Sequence, residues 1–500
     1  MSKPIYLDYA ATTPVDPTVA QAMSETLASA SEYGNAGSIT HVFGRRAEAR
    51  IESARTQVAA LIGAKPDEII FTSGATESNN LAILGVARAN ADRGRHIITS
   101  RIEHKAVLDP CKQLEREGFT VTYLAPDANG TISPESVRAA LRPDTTLVSI
   151  MHVNNETGVI QDIRAIADVC HAHGVPLHTD AAQSVGKLPI DVQQLPVDFL
   201  SFTAHKLYGP QGIGALYVRS ESRAQLRAIT FGGGQERGLR PGTLPLHQII
   251  GFGVACDIAR RALTTEPARL ALLRDRLWSS LQGLKGVHLN GEAAPRLAEI
   301  LNVSFEGVEG ESLVTGLPML AVTTGSACSS ASGEPSYVLR ALGRSTQLAQ
   351  SSLRFSLGRG TTNADIDAAA AAVVQQVNRL REMSPANPAP VAWPPGNNAD
   401  TRVIQGEAGS LTEGTWIRFH LRVTPTTVKA ALFQAYGCPH TLAVTVWVTG
   451  KLPGRTRTNL VPGTPAAWLE AMAVPQEKLG RLLRVEDALI ATLQHWHGPS

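Results

Sequence analysis

The sequence has few cysteines for its length, and their arrangement argues against two classes of protein. The chain has 500 residues and only five cysteines, spread widely: Cys111, Cys170, Cys256, Cys328 and Cys438. Their number is odd and no two have the CxxC spacing, which argues against a disulfide framework and against a zinc knuckle. We therefore expect free thiols, no metal site and a reducing, cytoplasmic location.

Net charge and long apolar runs are also lacking. The 46 lysines and arginines nearly balance the 44 aspartates and glutamates, which leaves a formal charge of +2. This balance argues against binding to nucleic acid or to an anionic membrane, and it favours a small neutral or zwitterionic substrate. No apolar run is long enough to cross a bilayer, and the start, MSKPIYLDYAATTP, lacks the apolar core of a signal peptide.

The chain does contain a regular alternation of strand-like and helix-like segments, and its length predicts several domains. Between residues 15 and 255, apolar β-rich runs alternate with amphipathic stretches: EIIFT, HIITS, TVTYL, TLVSIM, PLHTD, DFLSFT and GALYV. This pattern is typical of βαβ units, so we predict an α/β fold whose large domain has a mostly parallel seven-stranded sheet. Residues 1–14 and 256–383 are expected to form a small α/β domain.

The composition changes after the small domain. SPANPAPVAWPPGNNAD, residues 384–400, holds five prolines and few core-forming residues, which predicts an extended linker. Residues 401–500 are then expected to be a separate α+β domain, with WIRFHLRVT as a half-buried strand and PQEKLGRLLRVEDALIATLQHW as a terminal helical segment.

One motif predicts an anion site. In EIIFTSGATESNN a strand runs through Ser73 to Thr76 into a helix. Backbone N–H groups and the helix dipole at such a junction attract an anion, and Thr76 adds a hydroxyl. Taken alone, the same residues are equally compatible with a simple helix N-cap.

Two further motifs place charged groups at the ends of buried strands, where open parallel sheets bind ligands. PLHTDAAQSVG ends a strand at Asp180, and DFLSFTAHKLYG ends one at Thr203, His205 and Lys206. A desolvated lysine is a candidate for Schiff-base formation, although Lys206 alone could be a snorkelling surface residue. An anion site, a buried acid and a strand-end lysine together match the needs of pyridoxal phosphate. A dinucleotide loop at GPQGIG is disfavoured because its glycines precede a strand.

The motifs also show a family resemblance over residues 7–380. It rests on these segments: LDYAATTPVDP, FTSGATESNNLAI, HIITSRIEHKAVL, SIMHVNNETGVIQDI, SFTAHKLYGPQGIGALYV, RPGTLPLHQI, TTGSACSSASGEPSYVLRALG and SSLRFSLGR. The chain resembles the pyridoxal-phosphate-dependent cysteine desulfurases of the housekeeping iron–sulfur-assembly type, which are class V, fold-type I enzymes.

This resemblance implies roles for individual residues. Lys206 would attach the cofactor and later move the substrate α-proton, Asp180 would pair with the ring nitrogen, and Gln183 would contact the ring hydroxyl. His104 would stack on the ring and act in proton transfer. The phosphate would be held by a further set of residues, the last one from the second subunit of a homodimer: Ala75, Thr76, Thr203, His205 and Thr243. The substrate site would contain Asn35, and the carboxylate of L-cysteine would be held by Asn155 and by the fork of Arg354.

The resemblance also explains a cysteine among small residues, in TTGSACSSASGEPS. Cys328 would attack the sulfur of the bound substrate, leaving alanine and an enzyme persulfide, and the small neighbours would let it carry sulfur to an acceptor protein. Without the motif, Cys328 would be taken for an inert core residue. The cluster CHAHG, with Cys170, His171 and His173, resembles a metal site but fits a helix end before Gly174 better.

The C-terminal region resembles iron–sulfur scaffold proteins, in FQAYGCPHTLAVTVWVTGKLPG and RVEDALIATL. Cys438 matches one scaffold ligand, whereas Glu413 and Arg481 stand at the other two cysteine positions. One thiol cannot hold a cluster. The domain could therefore accept sulfur on Cys438, dock a partner or occupy the site of a free scaffold, and Cys438 could equally be a buried relic.

Three functions remain compatible with the sequence. The first is a cysteine desulfurase that supplies sulfur for cluster assembly or another transfer pathway. The second is a selenocysteine lyase, which the residues do not distinguish from the first. The third is a non-catalytic docking protein for sulfur-transfer partners. A complete set of candidate catalytic residues favours an enzyme, because a non-catalytic docking protein would not need them: Lys206, Asp180, His104, Cys328 and Arg354.

Overall fold

The computed structural model describes residues 3–30, 33–324, 335–384, 391, 393 and 400–496. Cys328 lies outside the described residues, so its role remains a prediction. Among the described residues, no helix is both long enough and apolar enough to span a bilayer.

The strands are numbered in chain order: β1 Ile5–Tyr6, β2 Ile69–Thr72, β3 His96–Ser100, β4 Thr120–Leu124, β5 Thr145–Ser149, β6 Leu177–Asp180, β7 Phe199–Thr203, β8 Gly214–Val218, β9 Val287–Leu289, β10 Ile300–Phe305, β11 Leu320–Ala321, β12 Ser352–Ser356, β13 Arg402–Ser410, β14 Thr415–Val423 and β15 Val428–Tyr436.

The α-helices are numbered in the same way: α1 Pro17–Ala28, α2 Val42–Leu61, α3 Ala75–Ala89, α4 Lys105–Arg116, α5 Pro134–Ala140, α6 Ile163–Ala172, α7 Leu246–Ala262, α8 Glu266–Leu281, α9 Gly310–Thr315, α10 Tyr337–Ala341, α11 Thr346–Gln350, α12 Asn363–Met383, α13 Pro439–Gly450, α14 Pro465–Ala471 and α15 Leu479–Leu493.

A seven-stranded sheet organises the first half of the chain, in the order β2-β8-β7-β6-β5-β3-β4. Its neighbouring strands are parallel except for β8, which runs antiparallel to both β2 and β7. The predicted α/β fold with a mostly parallel sheet is therefore confirmed, and the seven apolar runs of the sequence become β2 to β8.

Helices cover both faces of this sheet, which is why its strands other than the edge strand β4 are buried along their whole length. Along β2, Ile69 and Phe71 face a core that includes residues of α2, α6 and α7. Ile70 points the other way, into a core with α3 and α4. The two-residue side-chain period of a strand thus supplies both cores at once.

A smaller region follows the large sheet. Here β10 pairs with β9 and β12 in antiparallel fashion, and the N-terminal β1 pairs with β11 in parallel. Helices α8 and α12 pack on these strands in a core of their own. Helix α7 crosses the predicted boundary at residue 255, and Cys256 and Ala259 pack with the core of the large sheet.

The C-terminal region has a three-stranded antiparallel sheet, β13-β14-β15, packed against helices. It contacts the smaller region at α9: the Ser312 hydroxyl donates to the carbonyl of Gly437 at 2.7 Å, and Lys478 pairs with Glu311 at 3.1 Å. Leu442 packs against the cores of both regions. These contacts fix the C-terminal region on the surface of α9.

Candidate active site

Polar side chains gather in a cavity of about 530 Å³ at the ends of β2, β6 and β7. Most of the residues predicted for the site line it: Ala75, Thr76, His104, Asn155, Asp180, Gln183, Thr203, His205 and Lys206. Strand β8 lies between β2 and β7, and its first residue, Gly214, is opposite both Thr72 and Thr203. The register of the sheet therefore brings together segments that are far apart in the sequence.

The turn between β2 and α3 forms one wall of the cavity. The N-cap residue Gly74 has φ +152° and no side chain to cap the helix. A Cβ on Gly214 would lie 2.6 Å from the Cα of Gly74, so only glycine lets β8 approach this closely. The first turn of α3 thus opens into the cavity, as an anion-binding turn should.

Asp180 forms a second wall. Its carboxylate is buried, and it accepts hydrogen bonds from the amide of Asn79 at 2.7 Å and from the backbone N–H of Ala182 at 2.9 Å. Two donors compensate for the cost of burying a charge and fix the direction of the carboxylate.

Lys206 and two histidines complete the cavity. Lys206 ends the short 3₁₀ turn Ala204–Lys206, directly after β7. His104 is the N-cap of α4, where Nδ1 accepts from the N–H of Ala106 at 3.1 Å. Burial lowers the pKa of His104, and burial together with nearby lysines lowers the pKa of His205 to about 4. Both rings are therefore neutral near pH 7.

A smaller cavity of about 130 Å³ adjoins the first and shares His104, Asn155, Gln183 and Lys206 with it. Arg354 lines it and is 2% exposed. Its guanidinium donates to the Asp8 carboxylate at 2.6 Å and to the carbonyl of Asn155 at 2.8 Å. Arg354 is thus a buried cation in the same cavity as Lys206, placed to attract a carboxylate.

Two buried acids near the cavities were not predicted. Glu103 accepts from the Ser100 hydroxyl at 2.6 Å, and burial raises its pKa to about 8. Glu156 lines the smaller cavity and accepts from the Ser336 hydroxyl, and burial raises its pKa to about 7. Each directly adjoins a predicted residue, His104 or Asn155, and a charged residue inside a buried motif is the signal that could have found it.

Asn79 and Asp8 were also missed as site residues. Asn79 follows Thr76 by one helical turn, so the helical period places both on one face of α3. Asp8 lies in the apolar stretch IYLDYAA, where a carboxylate needs a partner. Both signals were present in the sequence.

The cavity walls fit a phosphorylated pyridine cofactor. Among the described residues that line the two cavities, three buried polar atoms have no hydrogen-bond partner: Asn79 Oδ1, Asn155 Oδ1 and Arg354 Nε. Unpartnered buried polar atoms are costly, so they indicate that a ligand completes the site. A helix N-terminus suits a phosphate, and the Asp180 carboxylate suits a protonated ring nitrogen.

Three predicted residues lie elsewhere, and the position of a fourth is not described. Asn35 and Thr243 are exposed and are not among the residues that line either cavity. Cys328 is outside the described residues. Cys438 is fully buried at the N-terminus of α13, in the C-terminal region.

The CHAHG segment has structural contacts of its own. Cys170 is buried in the core, His171 pairs with Asp198 at 2.9 Å, and His173 bonds to the carbonyl of Val169 at 2.9 Å. Among the residues whose placement is described, no three potential metal ligands cluster. The helix-end interpretation agrees with Gly174, which follows α6 with φ +65°.

Comparison with known proteins places this geometry in a family. Residues 5–369 match the model of the aminotransferase class-V family. Among curated proteins, the cysteine desulfurase IscS of Pectobacterium atrosepticum is 58% identical over 385 residues, which are 77% of this chain and 95% of that protein. The cysteine desulfurase IscS of Klebsiella pneumoniae is similar to the same extent.

Solved structures agree with these sequence matches. A NifS-like protein is 36% identical and superposes with a TM-score of 0.68, covering 76% of this chain and 99% of its own. SspA in complex with cysteine is 41% identical with a TM-score of 0.62, covering 70% of this chain and 98% of its own. DndA from Streptomyces lividans is 45% identical with a TM-score of 0.60, covering 70% and 99%. The chain therefore belongs to the aminotransferase class-V family, as a pyridoxal-phosphate-dependent cysteine desulfurase.

Proposed function

We propose that this chain converts L-cysteine to L-alanine and retains the sulfur as a persulfide on Cys328. The substrate Cβ–S bond breaks, a new S–S bond forms to Cys328, and Cβ gains a proton, so no external oxidant is needed. The observation that carries this proposal is the cavity in which Lys206, Asp180 and His104 meet, joined to a smaller one that holds Arg354.

Each site residue has a proposed task. When bound, pyridoxal phosphate withdraws electrons from the amino acid and so weakens the bonds at its α-carbon. Lys206 would attach the cofactor and then carry the α-proton, and the Asp180 carboxylate, oriented by Asn79, would keep the ring nitrogen protonated. Gln183 would contact the ring hydroxyl. His104, held neutral by burial, would cover the ring and accept or return a proton.

Phosphate and substrate have separate anchors in this proposal. The phosphate is held by residues at the ends of β2 and β7: Ala75, Thr76, Thr203 and His205. The substrate carboxylate is held by the side-chain amide N–H of Asn155 and by the guanidinium of Arg354, whose unpartnered Nε supplies a further donor. Asn35 is also proposed for the substrate site, although it lines neither cavity in the single chain.

We also propose that the protein is a homodimer in which Thr243 of one subunit reaches the phosphate of the other. Thr243 is exposed in the single chain. Large apolar side chains of the same half of the molecule are exposed too, including Phe231 at 87% and Tyr33 at 72%. Burying such side chains between two copies would stabilise a dimer.

The proposed domain division follows the sequence boundaries: residues 15–255, then 1–14 with 256–383, a linker at 384–400, and 401–500. We infer that the last domain is a scaffold-like docking element with Cys438 as a candidate sulfur acceptor. Burial alone would lower the pKa of Arg481. The Cys438 thiol, which Arg481 contacts, and the nearby Glu309 and Glu311 raise the pKa of Arg481 instead. Arg481 thus lies beside Cys438, as the alignment with scaffold ligands suggests.

The cytoplasm is the compartment we propose. Cys111, Cys170, Cys256 and Cys438 are free and buried in the structure, which suits a reducing environment. Sulfur-acceptor proteins of that compartment are the proposed partners.

Mass spectrometry after incubation with L-cysteine tests these proposals. Wild type should carry a persulfide on Cys328 and release alanine, whereas Cys328→Ser should bind the cofactor and release none. Cys256→Ala, which removes a buried thiol of α7, is the matched control and should behave as wild type. Alanine release at the wild-type rate from Cys328→Ser would contradict the proposal.

The same experiment examines the C-terminal domain. Sulfur on Cys438 that disappears in Cys328→Ser would support an internal transfer between the two thiols. A persulfide confined to Cys328 in both wild type and Cys438→Ser would leave this domain as a docking element.

A further inference from the structure

An acidic side chain lines the cavity at the place where an anion is expected. Glu77 lies in the first turn of α3 and lines the same wall as Ser73, Ala75 and Thr76. Its Oε2 accepts from the backbone N–H of Ser73 at 2.5 Å. The carboxylate therefore braces the turn between β2 and α3 from within.

This carboxylate is ionised. Partial burial alone would raise the pKa of Glu77, but hydrogen bonds from Arg240 and Ser73 hold it below its ordinary value. Two anions in one small, partly desolvated site repel each other, and the repulsion weakens binding unless a cation compensates.

Arg240 supplies that cation. Its Nε donates to Glu77 Oε1 at 2.9 Å and its Nη2 to Oε2 at 3.4 Å. Both side chains are partly shielded from solvent, with 20% of Arg240 and 24% of Glu77 exposed. The pair is therefore less screened than an ordinary surface ion pair.

The loop that carries Arg240 is fixed to the large sheet. Glu236, in the same loop, forms a buried ion pair with Arg55 at 2.7 Å and accepts from the backbone N–H of Phe71 in β2. Arg237 donates to the carbonyl of Ile69, also in β2. The guanidinium of Arg240 is thus tied to the strand that leads into the cavity turn.

We propose that Arg240 is a positioning residue for phosphate binding: it neutralises Glu77, so that Glu77 can brace the β2–α3 turn without repelling the phosphate. This inference rests on the proposed placement of the phosphate at Ser73–Thr76. The proposal predicts that Glu77 weakens phosphate binding only when Arg240 is lost.

The test compares pyridoxal phosphate with pyridoxal, which lacks the phosphate, in binding to cofactor-free protein measured by equilibrium dialysis and absorbance. In Arg240→Gln, the dissociation constant for pyridoxal phosphate should rise about 10-fold, because an uncompensated carboxylate then faces the phosphate. The double variant Glu77→Gln/Arg240→Gln should recover to within about 3-fold of wild type, and Arg240→Lys should lose less than Arg240→Gln. The affinity for pyridoxal should change by less than about 3-fold in every variant.

Three results would overturn the inference: wild-type affinity in Arg240→Gln, no recovery in the double variant, or equal weakening of both ligands, which would mean that the pair only holds the loop. Thermal unfolding of each cofactor-free variant identifies a general loss of folding. If wild type itself did not prefer pyridoxal phosphate to pyridoxal, the phosphate placement would fail, and the inference with it. If wild type prefers pyridoxal phosphate to pyridoxal and Arg240→Gln keeps that preference in full, the phosphate placement stands and only the proposed role of Arg240 fails.

Discussion

The catalytic region, residues 3–383, and the C-terminal region, residues 400–496, differ in what their interiors contain. The catalytic region buries acidic and basic side chains at or near its cavities, among them Glu103, Glu156, Asp180 and Arg354. In the described C-terminal residues, buried polar groups are uncharged, as in the His420–Gln434 pair at 3.0 Å. Buried charge is costly, so it needs either a structural partner, as in the pair Arg55–Glu236, or a ligand, and the groups at the cavities are those that suit a ligand.

The contact between the two regions has a related character. Cys438 is buried, and the half-buried Arg481 lies beside it, close to Glu309 and Glu311 of the catalytic region. Two cations of the C-terminal region, Lys478 and Arg481, thus lie towards α9. The C-terminal region thus has an interface with the catalytic region at α9. Its described residues contain no second site of buried charges.

The largest expected effect comes from removing the buried carboxylate of Asp180. Asp180→Asn should lower kcat/KM for cysteine by about 1000-fold, because a neutral amide cannot keep the ring nitrogen protonated. The absorbance of the bound cofactor should change as well. Asp487→Asn, which alters an exposed carboxylate of the C-terminal region, is the matched control and should keep wild-type activity. Comparable losses in the two variants would break the contrast between the regions.

A smaller effect is expected from the buried guanidinium. Arg354→Lys should raise KM for cysteine by about 100-fold with a lesser change in kcat, because lysine lacks the planar fork that holds a carboxylate. Steady-state kinetics with cysteine measures this. Arg418→Lys changes an exposed ion pair of the C-terminal region and should leave KM as it is. An unchanged KM in Arg354→Lys would show that the substrate carboxylate binds elsewhere.

The smallest expected effect concerns stability and pH. Burial raises the pKa of Glu156 from 4.5 to about 7 in the folded state. The folded protein therefore binds this proton more tightly than the unfolded chain. The contribution of Glu156 to the free energy of unfolding then falls as the pH rises from its pKa in the unfolded chain through its pKa in the folded protein. Glu156→Gln mimics the protonated acid and should remove this dependence.

Denaturant unfolding measures the difference. Relative to wild type, Glu156→Gln should gain on the order of 3 kcal/mol in the free energy of unfolding between about pH 4 and about pH 8. Near pH 4 both proteins hold a neutral group at this position, so that comparison serves as an internal control. A constant difference across the whole range would mean that Glu156 does not titrate as described.

Much of the catalytic region was predictable because its signals are local. The strands are recognisable in the sequence as apolar runs separated by turn residues, and β2 to β8 coincide with those runs. Asp180 and Lys206 are recognisable because a charge directly after a buried strand needs a ligand or a partner. The parallel order then places strand ends at one edge, which predicts that these groups meet.

The partners of the site residues were less predictable, because their contacts join distant parts of the chain. Asp8 and Arg354 are separated by 346 residues, and Asn79 and Asp180 by 101. No local pattern specifies which of many carboxylates or amides will meet across such distances. The burial of Cys438 was likewise undecided, since a lone cysteine reads equally well as an acceptor or as a core residue.

The sequence by itself determined the elements, the sheet type and the charges at the strand ends, Asp180 and Lys206, since each depends on periodicity or on a charge within an apolar run. Only the tertiary structure decided that Arg354 is held by Asp8, that Arg240 compensates Glu77, and that Cys438 is enclosed beside Arg481. The physical reason is that burial and charge pairing depend on which distant segments pack together, and this is fixed by the whole fold rather than by any one stretch of chain.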